Sequence, residues 1–398
     1  MISKLNIKFL LASMVMFSSS AGAVIVLQQA SSSFDTQYDT NPLLREDKQS
    51  IWRYTITPRY TVAAVEDQNR WYANGALAIQ RNSDKRIVQD REDPSLDVGW
   101  QREYEKGRFL IAARYDKRSS RFSEFNQNGF VDIDGSAVTR SVNASWTRAI
   151  TERLNYSLGT EYKKTTYDSS QFSDSVSKSI NSSFTYEFNE RVSPFVQVGY
   201  TDFKSDGVIT GNGLLINNGN GFFINNNVGN GGSSKSKNIS IGATIYLSPK
   251  WTFVPSIGVN KVDSASQNAN TVLGAASGSG SIGNFALLYK AERANLKGVL
   301  SRSVSPSGVG GFVESDQFNL AYDYLLTEKS SLGAGYNINK NKSDFDSKST
   351  QISAWYTKEL TEMWQMRFSV ESRNQKNFNQ DVNGNVVGLT FTYSTPEF

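Results

Sequence analysis

The sequence predicts an all-β fold, a transmembrane antiparallel up-and-down β-barrel of about 18 strands. Three observations predict it. Segments in which apolar and polar residues alternate recur along most of the chain, short polar turns alternate with longer polar loops, and Trp and Tyr edge the apolar rows. The composition agrees, because Tyr (18) and Phe (23) are abundant whereas Pro (8) is rare, a mixture that favours strands over helices.

The first 23 residues have the pattern of a cleaved secretory signal peptide. Lys4 and Lys8 give a basic start, Phe9–Phe17 is a short apolar run, and Ala21-Gly22-Ala23 is a small-x-small cleavage motif. The apolar run is about half as long as a membrane-spanning helix requires, which disfavours the alternative of an uncleaved anchor. We therefore expect cleavage after Ala23 and one barrel domain over residues 24–398.

The clearest alternating segment is Trp52–Val62. Its even positions include Trp52, Tyr54 and Ile56, whereas its odd positions are Arg or Thr. Successive side chains of a strand point to opposite faces, so this strand has one apolar and one polar face. Similar runs, each about 9–14 residues long, suit a tilted strand that crosses a bilayer. They start near Trp71, Leu96, Val142, Leu154, Ile180, Val196, Ile239, Trp251, Phe285, Leu296, Phe318, Leu332, Trp364 and Val387.

The connections between these runs are of two kinds. The short ones lie at residues 66–68, 105–107, 151–153, 189–191, 248–250, 291–293, 327–329 and 361–363. The long ones include Ser83–Pro94, Ser119–Ser136, Ser205–Ser236 and Asp263–Gly280. Eight short turns join sixteen strands, and a first strand near Ser32–Tyr38 and a last near Val386–Ser394 bring the number to about 18. Bacterial barrels keep short turns in the periplasm, so both termini are predicted to be periplasmic.

The apolar rows favour a membrane barrel over a soluble sandwich or propeller. They are long and are edged by tryptophans, and aromatic residues form the girdles of membrane barrels. A closed barrel is also the one β-structure without free edges that lipid tolerates. We therefore expect this chain in the cell outer membrane. The six girdle tryptophans are Trp52, Trp71, Trp100, Trp146, Trp251 and Trp364.

The chain resembles outer-membrane β-barrels associated with exopolysaccharide export, the β-barrel porins of the second type. The resemblance rests on the segment Tyr38-Asp39-Thr40-Asn41-Pro42-Leu43-Leu44 after the first strand and on the turns Thr151-Glu152-Arg153-Leu154 and Asn189-Glu190-Arg191-Val192. It also rests on the lack of a plug or periplasmic segment before the barrel. The resemblance implies a role in polysaccharide export or permeability. It implies contact with polysaccharide and with export-system proteins.

The residue types argue against an enzyme. The chain has no His and no Cys, which removes the commonest general base, the disulfides and the thiolate metal ligands. We expect no catalytic, cofactor or metal site. The 42 basic and 38 acidic residues are scattered singly, so we also expect no nucleic-acid partner. The expected partners are outer-membrane lipid, lipopolysaccharide and the barrel-insertion machinery.

The charged positions of polar parity are the candidate pore-lining residues. They are Arg53, Arg59, Arg70, Arg114, Arg118, Glu161, Lys163, Arg367, Glu371 and Arg373. The cations among them predict a stripe that favours anionic solutes, and a generic polar lining is the alternative. Within the loop Ser205–Ser236, a candidate constriction comprises Leu214, Leu215, Ile216, Phe222, Phe223 and Ile224. The predicted function is an outer-membrane pore for polysaccharide or other polar solutes. The alternative is a filled barrel that anchors or assembles a surface-polymer system or binds glycan.

Overall fold

The computed structural model describes residues 24–120, 135–169, 172–206, 232–265, 278–306, 312–342, 347–377 and 380–397. Its regular structure comprises eighteen β-strands. They are β1 (Ile25–Asp39), β2 (Ile51–Glu66), β3 (Asn69–Asn82), β4 (Arg91–Tyr104), β5 (Gly107–Ser119), β6 (Ser136–Ala149), β7 (Leu154–Tyr167), β8 (Ser175–Tyr186), β9 (Val192–Ser205), β10 (Gly232–Ser248), β11 (Trp251–Ala265), β12 (Gly278–Lys290), β13 (Ala294–Pro306), β14 (Phe312–Thr327), β15 (Ser330–Lys342), β16 (Ser347–Glu359), β17 (Trp364–Asn377) and β18 (Gln380–Ser394). No helix in these ranges is long and apolar enough to cross a membrane.

The sheet closes on itself. Every strand pairs antiparallel with the next one along the chain, and β1 pairs with β18 from Ser31↔Ser394 to Asp39↔Val386. Closure leaves no row of unpaired backbone groups at a sheet edge. The prediction of an antiparallel up-and-down barrel of about 18 strands is therefore confirmed.

The eight short turns lie where the sequence predicts them, between β2 and β3, β4 and β5, and each later pair up to β16 and β17. The start of β1 pairs with the end of β2, and the end of β18 lies beside the short turn before β17. The first and the last strand therefore begin and end, respectively, on the short-turn side. We call this the short-turn end and the opposite side the long-loop end.

The strands extend further than the sequence predicts. β1 is Ile25–Asp39 rather than Ser32–Tyr38, β18 begins at Gln380 rather than Val386, and β4 begins at Arg91, inside a predicted loop. The strands are 12–17 residues long rather than 9–14. The apolar alternation stops where strands leave the lipid, whereas backbone pairing continues because it does not depend on side-chain polarity.

The outer face of the barrel is apolar and accessible. Ile241 is 57 % exposed, Ile257 and Val259 are each 59 % exposed, and Ile352 is 55 % exposed. A water-soluble protein rarely exposes so large a contiguous apolar surface, so this face is suited to lipid.

Aromatic pairs mark the border of the apolar band. At the short-turn end, Trp251 lies 4.6 Å from Tyr289 between ring centroids, and Trp364 lies 5.1 Å from Tyr393. Five of the six predicted girdle tryptophans lie near short turns, and Trp52 lies at the long-loop end beside Tyr54. The girdle is therefore denser at the short-turn end.

Candidate functional site: the inner face of the barrel

The inner face is the set of strand positions opposite in parity to the lipid-facing residues. The pairing register places the ten candidate pore-lining residues on it, on β2, β3, β5, β7 and β17. These strands are neighbours around the closure, since β17 is separated from β2 only by β18 and β1. The candidate residues therefore share one side of the barrel.

The opposite side of the inner face carries no charge within strands β8–β11, and on β12 only Lys290 at the short-turn end is charged. We call this surface the neutral wall. Its hydroxyl and amide side chains are donors and acceptors for uncharged polar solutes. They include Ser179, Asn181, Ser183, Gln197, Thr201, Asn238, Ser240, Ser256, Asn260 and Asn284.

Asp39 is the centre of a charged cluster on the other side. Its side chain is inaccessible to solvent, and its Oδ1 accepts a hydrogen bond from Arg373 Nη2 at 2.6 Å. Arg53 Nη2 lies 3.7 Å from Asp39 Oδ2, and Glu371 lies 3.5 Å from Arg373 Nε. A buried carboxylate requires such cations. Arg53, Glu371 and Arg373 therefore form one ion-paired cluster with Asp39 where the barrel closes, at its long-loop end.

A second cluster surrounds Asp116 on β5. Arg118 Nε donates to Asp116 Oδ2, and Arg114 Nη2 lies 3.5 Å from Asp116 Oδ1. The carboxylate thus offsets part of the positive charge of both arginines. The expected cationic stripe is interrupted at this point.

The other candidates have different surroundings. Arg59, Arg70, Glu161 and Lys163 make no ion pair within the ranges that the structure describes. The Arg367 guanidinium lies 4.9 Å from the centre of the Trp355 ring. Half of the eight candidate cations therefore have no carboxylate partner among the described residues: Arg59, Arg70, Lys163 and Arg367.

The segment between β1 and β2 folds onto the inner face of β18. The backbone N–H of Thr40 donates to Asn385 O at 2.9 Å, and Asn41 Nδ2 donates to Asn383 O at 3.0 Å. A Cβ at Gly384 would lie 3.0 Å from Asn41 Cβ, so glycine permits this close approach. The segment narrows the long-loop end of the barrel interior.

The sheet separates between β12 and β13 at the same end. Their pairing ends at Gly283↔Arg302, above which β12 pairs only with β11 and β13 only with β14. Phe312 has outer parity, yet it clusters with the inner-face residues Phe203 of β9 and Val262 of β11. Val304, also of outer parity, packs against this cluster. The Phe203 and Phe312 ring centroids are 5.8 Å apart.

This contact places the tip of the β13–β14 hairpin inside the wall formed by β9–β12. Glu314, also of outer parity, lies 3.5 Å from the Cβ position of Gly280 on the inner face of β12, which supports the same placement. Val313 is buried at the tip, and Gln375 and Val382 are buried at the long-loop ends of β17 and β18. The interior is therefore packed near the long loops.

The predicted constriction residues Leu214, Leu215, Ile216, Phe222, Phe223 and Ile224 lie outside the described residues. Residues 1–23, the predicted signal peptide, also lie outside them.

Sequence reasoning missed Asp39 and Trp355 as inner-face residues. Asp39 was missed because β1 was predicted to end at Tyr38, although the odd-position polar pattern of Asp35 and Gln37 leads directly to it. Trp355 has inner parity, donates from Nε1 to Asp323 at 3.1 Å and lies over Gly333 of the adjacent strand. Its position between Ser353 and Thr357 carried the signal.

The fold is similar to solved outer-membrane proteins. OpdK from Pseudomonas aeruginosa has a TM-score of 0.51 at 9 % identity, with 94 % of this chain and 99 % of that chain covered. OccAB4 from Acinetobacter baumannii gives 0.50 at 8 % identity, with coverage of 95 % and 99 %. The siderophore receptor PirA from Acinetobacter baumannii gives 0.53 at 8 % identity, with coverage of 92 % and 80 %. No protein-family model and no curated protein matches the chain.

This chain is an outer-membrane β-barrel. The closed sheet, the lipid-suited outer face and the aromatic border are the features of that class. At such low identity the neighbours show the fold alone. Among the described residues of the barrel, no group of three or more acidic side chains is arranged to hold a metal ion.

Proposed function

We propose that this barrel is a channel for polar solutes across the outer membrane. The observation that carries the proposal is the inner face, which is polar or charged on most strands while the outer face is apolar. Barrels of 16–18 strands are wide enough to leave an aqueous channel. The outer membrane protein OpdK has a similar fold.

Single-channel recording tests the proposal. The mature chain, refolded and inserted in a planar bilayer, is expected to give steady conductance steps in KCl, and a salt gradient then yields its anion/cation preference. A barrel that inserts, as shown by protection of its strands from protease, but never conducts would contradict the channel.

The neutral wall favours uncharged, hydroxyl-rich solutes such as polysaccharides within this proposal. Ser, Thr, Asn and Gln side chains exchange hydrogen bonds with hydroxyl groups without a charge-desolvation cost. Liposome swelling with neutral and anionic oligosaccharides of equal length is the direct comparison. Faster entry of the neutral oligosaccharide supports polysaccharide as the solute, and equal or slower entry removes that support.

A filled barrel that serves a surface-polymer system is the second candidate. The packing of Val313, Gln375 and Val382 at the long-loop end favours it. A barrel that is silent alone and conducts only after deletion of residues 207–231 would favour this candidate over a free pore. Steady conductance of the intact chain would exclude it.

A further inference from the structure

The outer face carries an apolar groove across β4–β7, in its long-loop half. Leu96, Val98, Tyr115, Val142 and Tyr162 line the groove. Leu96 and Val142 are each 47 % exposed to the lipid side. A groove with such walls is suited to a hydrocarbon chain.

Arg140 closes the groove at its long-loop side, and Lys164 lies beside Arg140 on the next strand. Arg140 lies directly opposite both Tyr115 on β5 and Lys164 on β7 in the pairing register. The Arg140 guanidinium carbon lies 5.8 Å from the Tyr115 ring centroid, a distance typical of a cation–π contact. The ring therefore fixes the guanidinium beside the groove.

The charge here is unbalanced. Like charges at directly opposed positions of a sheet destabilise it, yet neither Arg140 nor Lys164 has a carboxylate partner in the described part of the chain. Lys178 on β8 differs, because it lies opposite Tyr162 on one side and opposite the carboxylate of Asp202 on the other. Cations of outer parity near the β13–β14 hairpin tip differ, because there Arg302 is paired with Asp316 and Lys342 with Glu314.

The height of Arg140 and Lys164 in the membrane indicates which kind of anion they bind. On β6 and β7 the outer face changes from apolar Val142 and Tyr162 to cationic Arg140 and Lys164 within one strand repeat. This change marks the border between acyl chains and headgroups of the outer leaflet. An anion at this border that also fills the groove has both a phosphate and an acyl chain.

We propose that Arg140, Lys164 and the groove beneath them form a site for a phosphorylated, acylated saccharide lipid of the outer leaflet. The headgroup phosphate binds between Arg140 and Lys164, and one acyl chain lies between Val98 and Val142. This site does not depend on whether the barrel conducts.

A titration of the refolded mature barrel in detergent tests the site. Bound lipid A is counted by native mass spectrometry, alongside the same lipid without its phosphates and inorganic phosphate. The double variant R140Q/K164Q is expected to bind lipid A roughly tenfold to thirtyfold more weakly, since each cation near a membrane surface contributes a factor of about five. The variant A113W, which fills the groove floor, is expected to weaken lipid A binding roughly tenfold.

The matched control is K340Q/K348Q. Lys340 and Lys348 also lie directly opposite each other on the outer face, on β15 and β16, and make no ion pair among the described residues. This control, and the charge-preserving swap R140K/K164R, should bind lipid A within about threefold of the parent protein. Every variant is first shown to be folded by its mobility on an unheated gel.

Three results would overturn the site. Equal binding of the dephosphorylated lipid would show that the groove acts without the cations. Equal weakening by K340Q/K348Q would show a diffuse charge effect. If inorganic phosphate bound as tightly as lipid A and A113W had no effect, the residues would form an anion site that does not bind lipid.

Discussion

At the scale of single residues, the charge of Asp39 can be tested most directly. Replacing it by Asn keeps the shape and the contact with the Asn41 N–H, but it leaves Arg53 and Arg373 close together without their carboxylate. We expect D39N to lower the free energy of unfolding by roughly 2–3 kcal/mol, less than a fully buried pair because both guanidinium groups are partly solvated. Urea unfolding followed by tryptophan fluorescence measures this.

The control for Asp39 is D97N. Asp97 also has inner parity, but it makes no ion pair in the described ranges, so its neutralisation should change the free energy of unfolding by no more than about 0.5 kcal/mol. Similar losses for the two variants would mean that the Asp39 cluster does not stabilise the closure.

The local partners of the arginines decide their effect on ion selectivity. Arg59 has no carboxylate partner among the described residues, whereas Arg118 is bound to Asp116. A unit charge about 10 Å from the ion path contributes about 0.4 kcal/mol in water. It acts with opposite sign on anions and cations and is screened by salt over about one Debye length, so R59Q should lower the anion/cation permeability ratio roughly twofold. The matched variant D116N/R118Q removes both charges of an ion pair and leaves the net charge of the inner face unchanged, so it should change the ratio less. Reversal potentials in a KCl gradient compare the two variants, and a larger effect of D116N/R118Q than of R59Q would contradict this assignment.

At the scale of elements, the tip of the β13–β14 hairpin controls the long-loop end. Phe312 is 2 % exposed and packs against Phe203 where the hairpin tip overlaps the wall formed by β9–β12. Phe→Ala in a packed site costs about 3–5 kcal/mol, and here the loss falls on the contact that holds the hairpin inside the wall. We expect F312A to raise the open-channel conductance or the open probability in planar bilayers.

F195A is the control for the hairpin. Phe195 is an inner-face residue of the same strand as Phe203, but it lies over Gly242 near the short-turn end. Removal of the Phe195 ring should lower the free energy of unfolding and leave the open-channel conductance and the open probability unchanged. Unchanged conductance in both F312A and F203A would show that the overlap does not limit passage.

Individual elements show how far sequence reasoning reaches. The strand Trp52–Val62 and the eight short turns could be predicted because side-chain alternation and turn chemistry are local. The partners of Asp39 and Asp116 could not, since they depend on the register between strands. The inward hairpin also could not be predicted, because it depends on contacts between β9 and β14, which are distant in sequence. The parity of the ten candidate residues follows from the alternation alone, but their charge balance does not.

At the scale of the whole molecule, closure by β1 is the condition for stability in lipid. Ile25–Gln28 pairs only with β2, whereas Ser31–Asp39 pairs with both β2 and β18. Deletion of Ile25–Gln28 should therefore leave the barrel closed. The deleted protein should keep the mobility of the folded barrel on an unheated gel.

Deletion of Ile25–Asp39 should instead abolish the folded state. β2 and β18 run in the same direction, since each is antiparallel to β1, and they would have to pair in parallel, a geometry that no neighbouring strands here use. The two edges would otherwise expose backbone groups to lipid at several kcal/mol each. The expected result is a gel band with the mobility of the heated protein and loss of protease resistance. A folded, resistant band from this deletion would show that seventeen strands suffice and that the closing strand is dispensable.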